Sequence, residues 1–174
     1  SGHAARNEGE NAIYKALKII ENFRDFQFPK VSEQLGAVKL SVTQVQAGTQ
    51  HNVIPDRCDF VVDVRTNELY KNEEAFSILQ KNINCEMKAR SFRLNSSKIE
   101  PDHPIIIRAK MLGLQPFGSP TLSDQALMPF TSVKIGPGDS ARSHTANEFI
   151  LKSEIREAID LYIKLLDRLS LEPA

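Results

Sequence analysis

The chain has 174 residues, 41% hydrophobic and 25% charged, and its 22 basic side chains offset 22 acidic ones. That length accommodates one ordinary domain or two small ones. A balanced charge argues against a nucleic-acid partner or a polybasic membrane patch, since both need surplus Lys and Arg. No apolar run reaches the length of a membrane-spanning helix and no signal-peptide pattern is present, so the default expectation is a soluble, cytoplasmic protein. Two cysteines occur, Cys58 and Cys85. Each falls on the apolar face of an expected strand, which reads as a pair of structural thiols.

In chain order, Ser1-Gly-His3 opens neither a helix nor a strand and reads as a cloning remnant or the cut end of an excised fragment. Gly9 to Phe23 carries Ala12, Ala16, Leu17, Ile20 and Phe23 at helical spacing. Val38, Leu40 and Val42 alternate with polar residues, as do Cys58, Phe60, Val62 and Val64, giving two strands joined by a turn-rich Gly48–Asp56 connection. Asn72 is placed to cap a helix over 73–81, with Ala75, Phe76 and Leu79 inward. Cys85, Met87 and Ala89 alternate again as a third strand. The order α-β-β-α-β is a ferredoxin-like α+β sandwich without its opening strand, which would lie just before Ser1.

The pattern changes after a linker at 95–98. Pro104 opens a helix to about Leu112, with Asp102 as its expected cap. A short strand at 115–118, a helix around 124–128 and a strand at 131–135 follow. Gly136-Pro-Gly-Asp139 ends that strand. A last helix from about Ser153 sets Ile155, Ala158, Ile159, Tyr162, Leu165, Leu166 and Leu169 on one face. This alternation is half of an α/β layer. The boundaries are therefore 1–97 and 98–174.

Four histidines are present: His3, His51, His103 and His144. No His-x-Asp pair, His-x-x-x-His pair or strand-end Glu-Glu pair accompanies them, so spacing alone does not make the chain a metalloenzyme. His144, in a loop after a strand, is the best ligand candidate; the plainer reading is a surface residue. Arg65 ends a strand and reads either as an ion pair with Asp63 or Asp59, or as a forked clamp on a substrate carboxylate. The GPGD run is a weak phosphate-cradle candidate, since no helix starts directly after it and no Lys follows.

Taken together, these segments resemble one family. Ser1-Gly-His-Ala-Ala-Arg6 with Gly9-Glu-Asn-Ala-Ile13, Gly48-Thr-Gln-His-Asn-Val-Ile-Pro-Asp56 with Val62-Asp-Val-Arg65, Ser119-Pro-Thr-Leu-Ser-Asp124, and Ile135-Gly-Pro-Gly-Asp139 with Ser143-His-Thr-Ala-Asn-Glu148 occur in family order over nearly the whole chain. They look like the co-catalytic zinc aminoacylases and carboxypeptidases of the acetylornithine deacetylase and succinyl-diaminopimelate desuccinylase type. The chain departs from many relatives at Arg6-Asn-Glu8, where they carry Pro-His; acetylornithine deacetylases tend to lack that second histidine too.

The resemblance implies that 1–97 is a lid that pairs two copies into a homodimer. It implies that 98–174 is the C-terminal part of an α/β zinc-peptidase-like catalytic domain, whose first half, with most metal ligands, would precede Ser1. His3 would steady the oxyanion in the other subunit's site. Asn52 and Arg65 would hold the substrate's carboxylate, Gly138 would line the pocket, Asp124 would sit in a pocket turn, and His144 would be the last metal ligand. The intact enzyme would hold two zinc ions, with cobalt as an alternative, and this chain alone would not retain them. The reaction implied is removal of an acetyl or succinyl group from an amino acid such as ornithine or citrulline in arginine biosynthesis. The competing reading is a non-catalytic dimerisation module.

Overall fold

The computed structural model describes residues 1–6, 9–119 and 121–170. Their contacts divide into two compact units, Ser1–Ser96 with Ser119–Leu127, and Ser97–Gly118 with Met128–Ala174. The fold is a mix of helices and small antiparallel sheets, the α+β class expected for a ferredoxin-like lid.

The first unit opens with strand β1 (Gly2–His3) and helix α1 (Ala12–Asp25). Asn11 stays extended and its side-chain oxygen accepts the Ile13 N–H at 2.9 Å, which starts the helix two to three residues after the expected point. Strands β2 (Lys39–Ala47) and β4 (Cys58–Arg65) form an antiparallel hairpin with Val42 opposite Val62. A bulge between Val42 and Gln44 breaks the alternation there, which is why the apolar pattern reports only the first half of β2.

Leu40, Val42, Phe60, Val62 and Val64 pack against a buried cluster that includes Phe23, Phe28, Tyr70, Ala75, Leu79 and Ile83. Phe23 meets Phe60 edge to face at 5.8 Å. Each large side chain taken fully from water contributes roughly 1.5–3 kcal/mol, so this cluster is the main hold on the unit. Helix α2 (Asn72–Asn82) supplies Ala75 and Leu79.

Three expectations need correction here. Lys71, not Asn72, flanks the start of α2 and no side chain caps it. Asn72 instead lies inside the helix and ties outward: its amide nitrogen donates to the Leu94 carbonyl at 2.8 Å, and its oxygen accepts the Thr66 hydroxyl. Gly2 and His3 are not a structureless start, because they pair antiparallel with strand β3 (Val53–Ile54) inside the connection read as turn. Residues 85–89 do alternate inward and outward as expected, yet they form no ladder among the described residues. Period depends on the chain itself, whereas a ladder depends on a neighbour.

In the second unit, helix α3 (Pro104–Met111) is capped by His103, whose Nδ1 accepts the Ile105 N–H, and not by Asp102. It packs on helix α4 (Lys152–Leu166), burying Ile106, Ala109, Ala158 and Leu165. The Arg108 guanidinium donates to the Lys164 and Asp167 carbonyls, closing the C-terminal end of α4 with a cation, as the helix dipole favours. The strands expected at 115–118 and 131–135 have no regular secondary structure and no ladder partner among the described residues. Their apolar residues remain open, with Phe117 80% exposed. The expected inward face of α4 is likewise largely bare: Ile155, Ile159 and Leu166 are exposed.

Candidate functional site

Two expected site residues meet at the tip of the first unit. The Gly2–Ile54 and His3–Val53 pairs fix His3 beside the β3 strand, and the Ala4 N–H donates to the Asn52 carbonyl at 3.0 Å. His3 and Asn52 are both exposed. The His3 ring is held from one side, because its Nδ1 accepts the Ala5 N–H at 3.1 Å. A neutral imidazole that accepts at Nδ1 carries its proton on Nε2, so His3 presents an N–H donor outward.

Gly9 makes this arrangement possible. At φ +82° it adopts a backbone that favours glycine, and a Cβ there would lie 2.9 Å from the Ser1 carbonyl oxygen. Beside the tip is a pocket of about 260 Å³ whose lining includes Ser1, Gly48, Pro55, Arg57 and Asp59. Arg57 donates to Asp59 at 2.6 Å, which raises the guanidinium pKa and lowers that of the carboxyl.

Arg65 is not at this tip. It closes β4 opposite Lys39, while the connection bearing Asn52 leaves from Ala47, opposite Cys58. A strand of that length spans roughly 23 Å at about 3.3 Å per residue. The Arg65 Nε donates to Asp63 at 2.7 Å, which is the ion pair that the alternation of the strand allowed.

Gly138 and His144 share one loop of the second unit. Gly138 has φ +86°, and a Cβ would press on the Ile150 side chain at 3.3 Å. His144 has φ +60°, a left-handed conformation that few non-glycine residues adopt. Its backbone N–H donates to Glu148 Oε2 at 3.0 Å, and the Thr145 hydroxyl donates to the Arg142 carbonyl. Arg142 is anchored by Glu154 of α4 and lies 4.8 Å from the centre of the Phe149 ring. The bond between them raises the Arg142 pKa, and together with the Leu151 N–H it lowers that of Glu154. The His144 side chain is thus exposed on a braced loop.

The same loop disposes of the phosphate cradle. Asp139 Oδ1 accepts the Ala141 N–H at 2.9 Å, so a carboxylate already occupies the amide that an anion would need. Asp124 is exposed at the start of a 3-10 turn, Asp124–Leu127, in the first unit. Sequence reasoning gave Arg142 no part here, quoted Glu148 only as the end of a motif, and placed Glu154 only at the start of the last helix. The one readable signal was Glu154, three residues after the N-cap, where a helix start favours an acid.

The peptidase dimerisation domain family model matches residues 1–90. The chain belongs to this family. Membership makes it a relative of peptidases and amidohydrolases, and it supports self-association of two copies through the dimerisation domain. No curated protein matches the sequence. No helix among the described residues is long and apolar enough to cross a membrane. Family members are typically metal-dependent. Among the described residues, however, no group of three or more His, Cys, Asp or Glu side chains converges on one point. Around His144, Glu148 serves the backbone and Asp139 caps a turn. These residues do not fit a zinc site by themselves, since such a site takes three or four ligands.

Proposed function

We propose that this chain is part of a metal-dependent amidohydrolase that removes an acetyl or succinyl group from an amino acid such as ornithine or citrulline, acting as a cytoplasmic homodimer. Residues 1–97 are its lid and 98–174 the end of its catalytic domain. Two zinc or cobalt ions would be held mainly by residues outside this chain, with His144 as one ligand. Asn52 is assigned to the substrate's carboxylate, Gly138 to the pocket lining and Asp124 to a pocket turn, while Arg65, a strand's length from Asn52, is left to its ion pair with Asp63.

The observation that carries this reading is the Ala5-to-His3 bond. It leaves Nε2–H as an oriented donor at an exposed strand end. In an acyl-transfer reaction the carbonyl oxygen gains negative charge as the tetrahedral adduct forms. A donor placed there lowers the barrier by about 3–4 kcal/mol. Its position on the dimerisation domain suits delivery to the site of a second subunit.

The test is His3→Ala in the complete dimeric enzyme. The expected result is a kcat lower by about 10²–10³-fold with KM little changed, because the interaction exists mainly in the transition state. A change confined to KM would remove the oxyanion role.

A second reading has one observation in its favour, the lack of a convergent ligand group among the described residues. On that reading the polypeptide acts alone as a dimerisation module. Equilibrium dialysis against zinc discriminates: stoichiometric sub-micromolar binding by these 174 residues would count against the module.

A further inference from the structure

Helix α2 begins without a local cap, because Lys71 has the extended backbone of an N-cap but makes no side-chain bond to the first turn. The leading N–H groups of a helix have no partner within it, so an acceptor must come from elsewhere. Here it comes from far along the chain. The Asn95 side-chain oxygen accepts the Asn72 N–H at 2.8 Å, across 23 residues.

The Asn72 side chain returns the contact. Its amide nitrogen donates to the Leu94 carbonyl at 2.8 Å and to the Phe92 carbonyl at 3.3 Å, while its oxygen accepts the Thr66 hydroxyl at 2.9 Å. Two carbonyls on one side and a hydroxyl on the other fix which end of the amide is nitrogen. Asn95 in turn donates to the Phe92 carbonyl at 2.9 Å, and the Phe92 ring meets Phe76 of α2 edge to face at 5.5 Å. Last, the Ser96 hydroxyl donates to the Thr66 carbonyl at 3.0 Å. Residues 92–96 have no regular secondary structure and make no backbone–backbone hydrogen bond among the described residues, so side chains alone tie them down.

This strap lies where the chain leaves the first unit, which ends at Ser96 before the second begins at Ser97. Its inner end holds the first turn of α2, whose Ala75 and Leu79 belong to the buried cluster with Phe23 and Phe28. The helix and the strap share their bonds. A formed first turn presents the Asn72 N–H and side chain, and a docked strap presents their acceptors. We propose that residues 92–96 are a detachable clasp on α2, so that the helix's first turn and the exit of the chain from the first unit open and close together. A displacement of the chain beyond Ser97 thereby reaches a helix of the core. This inference concerns the clasp alone and stands independently of the deacylase reading.

Coupling of this kind is reciprocal, so a change on either side is read on the other. In the full chain, Asn95→Ala removes the acceptor from the strap. Exchange of the Ala75 amide, which bonds to the Lys71 carbonyl at 3.0 Å, is expected to speed up by at least about fivefold. Exchange of Ile83, bonded to the Leu79 carbonyl at the other end of α2, is expected to stay within about twofold of wild type.

Glu73→Gly works from the helix. Glu73 is exposed and takes no part in the strap's bonds, and the change weakens the first turn by removing an acid and a good helix former. A protease cuts a segment that leaves the surface in proportion to its open population. Trypsin cleavage after Arg93, within the clasp, is expected to become at least about threefold faster, and cleavage after Lys98, beyond it, to stay unchanged.

Lys71→Asp supplies the missing local cap and keeps the test decisive if either other variant folds poorly. It is expected to slow cleavage after Arg93 by at least about twofold. An Ala75 amide unmoved by Asn95→Ala, or an Arg93 cleavage rate unmoved by both helix substitutions, would overturn the proposal. So would equal acceleration at Ala75 and Ile83, or at Arg93 and Lys98, since the unit would then loosen as a whole.

Discussion

The backbone N–H of His144 donates to the Glu148 carboxylate at 3.0 Å, and this bond spans a turn in which His144 holds φ +60°. The imidazole is therefore presented from a conformation that its own Cβ disfavours. Four expected outcomes follow from this and from related features.

Replacing His144 by Gly should leave the chain about 1 kcal/mol more stable than replacing it by Ala. Both changes remove the ring, but only Gly accepts the left-handed backbone without a steric penalty. Denaturant unfolding of the two full-length variants measures the difference. Equal midpoints would mean that the loop relaxes freely.

The loop should loosen in acid. Bonds from Arg142 and from the Leu151 N–H hold the Glu154 pKa below its ordinary value. A depressed carboxylate contributes stability that is fully present above its unfolded pKa, about 4.3, and is lost as pH falls through the lower folded value. The protection of the Ser143 and His144 amides, corrected for intrinsic exchange, should therefore fall as the solution is acidified through the carboxylate range. In Arg142→Gln the loss should begin at higher pH, since the main cause of the shift is gone.

Gly9→Ala should disturb His3 at a distance. The new Cβ would meet the Ser1 carbonyl carbon and oxygen at about 3 Å, which is backbone and cannot rotate away. The β1–β3 ladder should open, giving rapid exchange at Ala4, whose N–H bonds to Asn52. If Ala4 stays protected, His3 is held by something other than this contact.

Asn67 is 1% exposed, and its side chain donates to the Gly36 carbonyl and accepts the Leu69 N–H. Asn67→Ala takes the side-chain acceptor from the Leu69 N–H and leaves the Gly36 carbonyl with the Ser32 N–H alone, and should cost about 1–3 kcal/mol, read by thermal or urea unfolding. Asn67→Asp keeps the acceptor and loses the donor. It should fall lower than wild type and probe the Gly36 side separately.

What the sequence revealed follows its physics. Helix α1 was legible because Ala16 and Phe23 repeat on a face that is truly buried. Period alone found the 85–89 segment and α4, yet it misjudged their surroundings. The ladder of the one and the covered face of the other depend on neighbours that no local pattern encodes. Strand β1 was invisible, since two residues, one of them Gly2, carry no alternation. His103 outcompeted Asp102 as a cap because the ring nitrogen reaches the Ile105 N–H. Both candidates stood in the sequence, and geometry chose. His3 and Asn52 lie on neighbouring backbone through the β1–β3 pairing, which their separation in sequence does not reveal. Arg65 lies at the other end of its strand, and only the register shows that.

The bare row on α4 carries a consequence for handling this protein. Ile155, Ile159 and Ile163 recur every four residues along this helix, and Ile163 is 62% exposed. A nascent chain bearing such a row is a natural client for heat-shock chaperones, and its yield should fall steeply with synthesis rate. Slow expression at low temperature, or an Ile159→Lys change on that row, would then decide whether material accumulates as dispersed protein or as inclusion bodies.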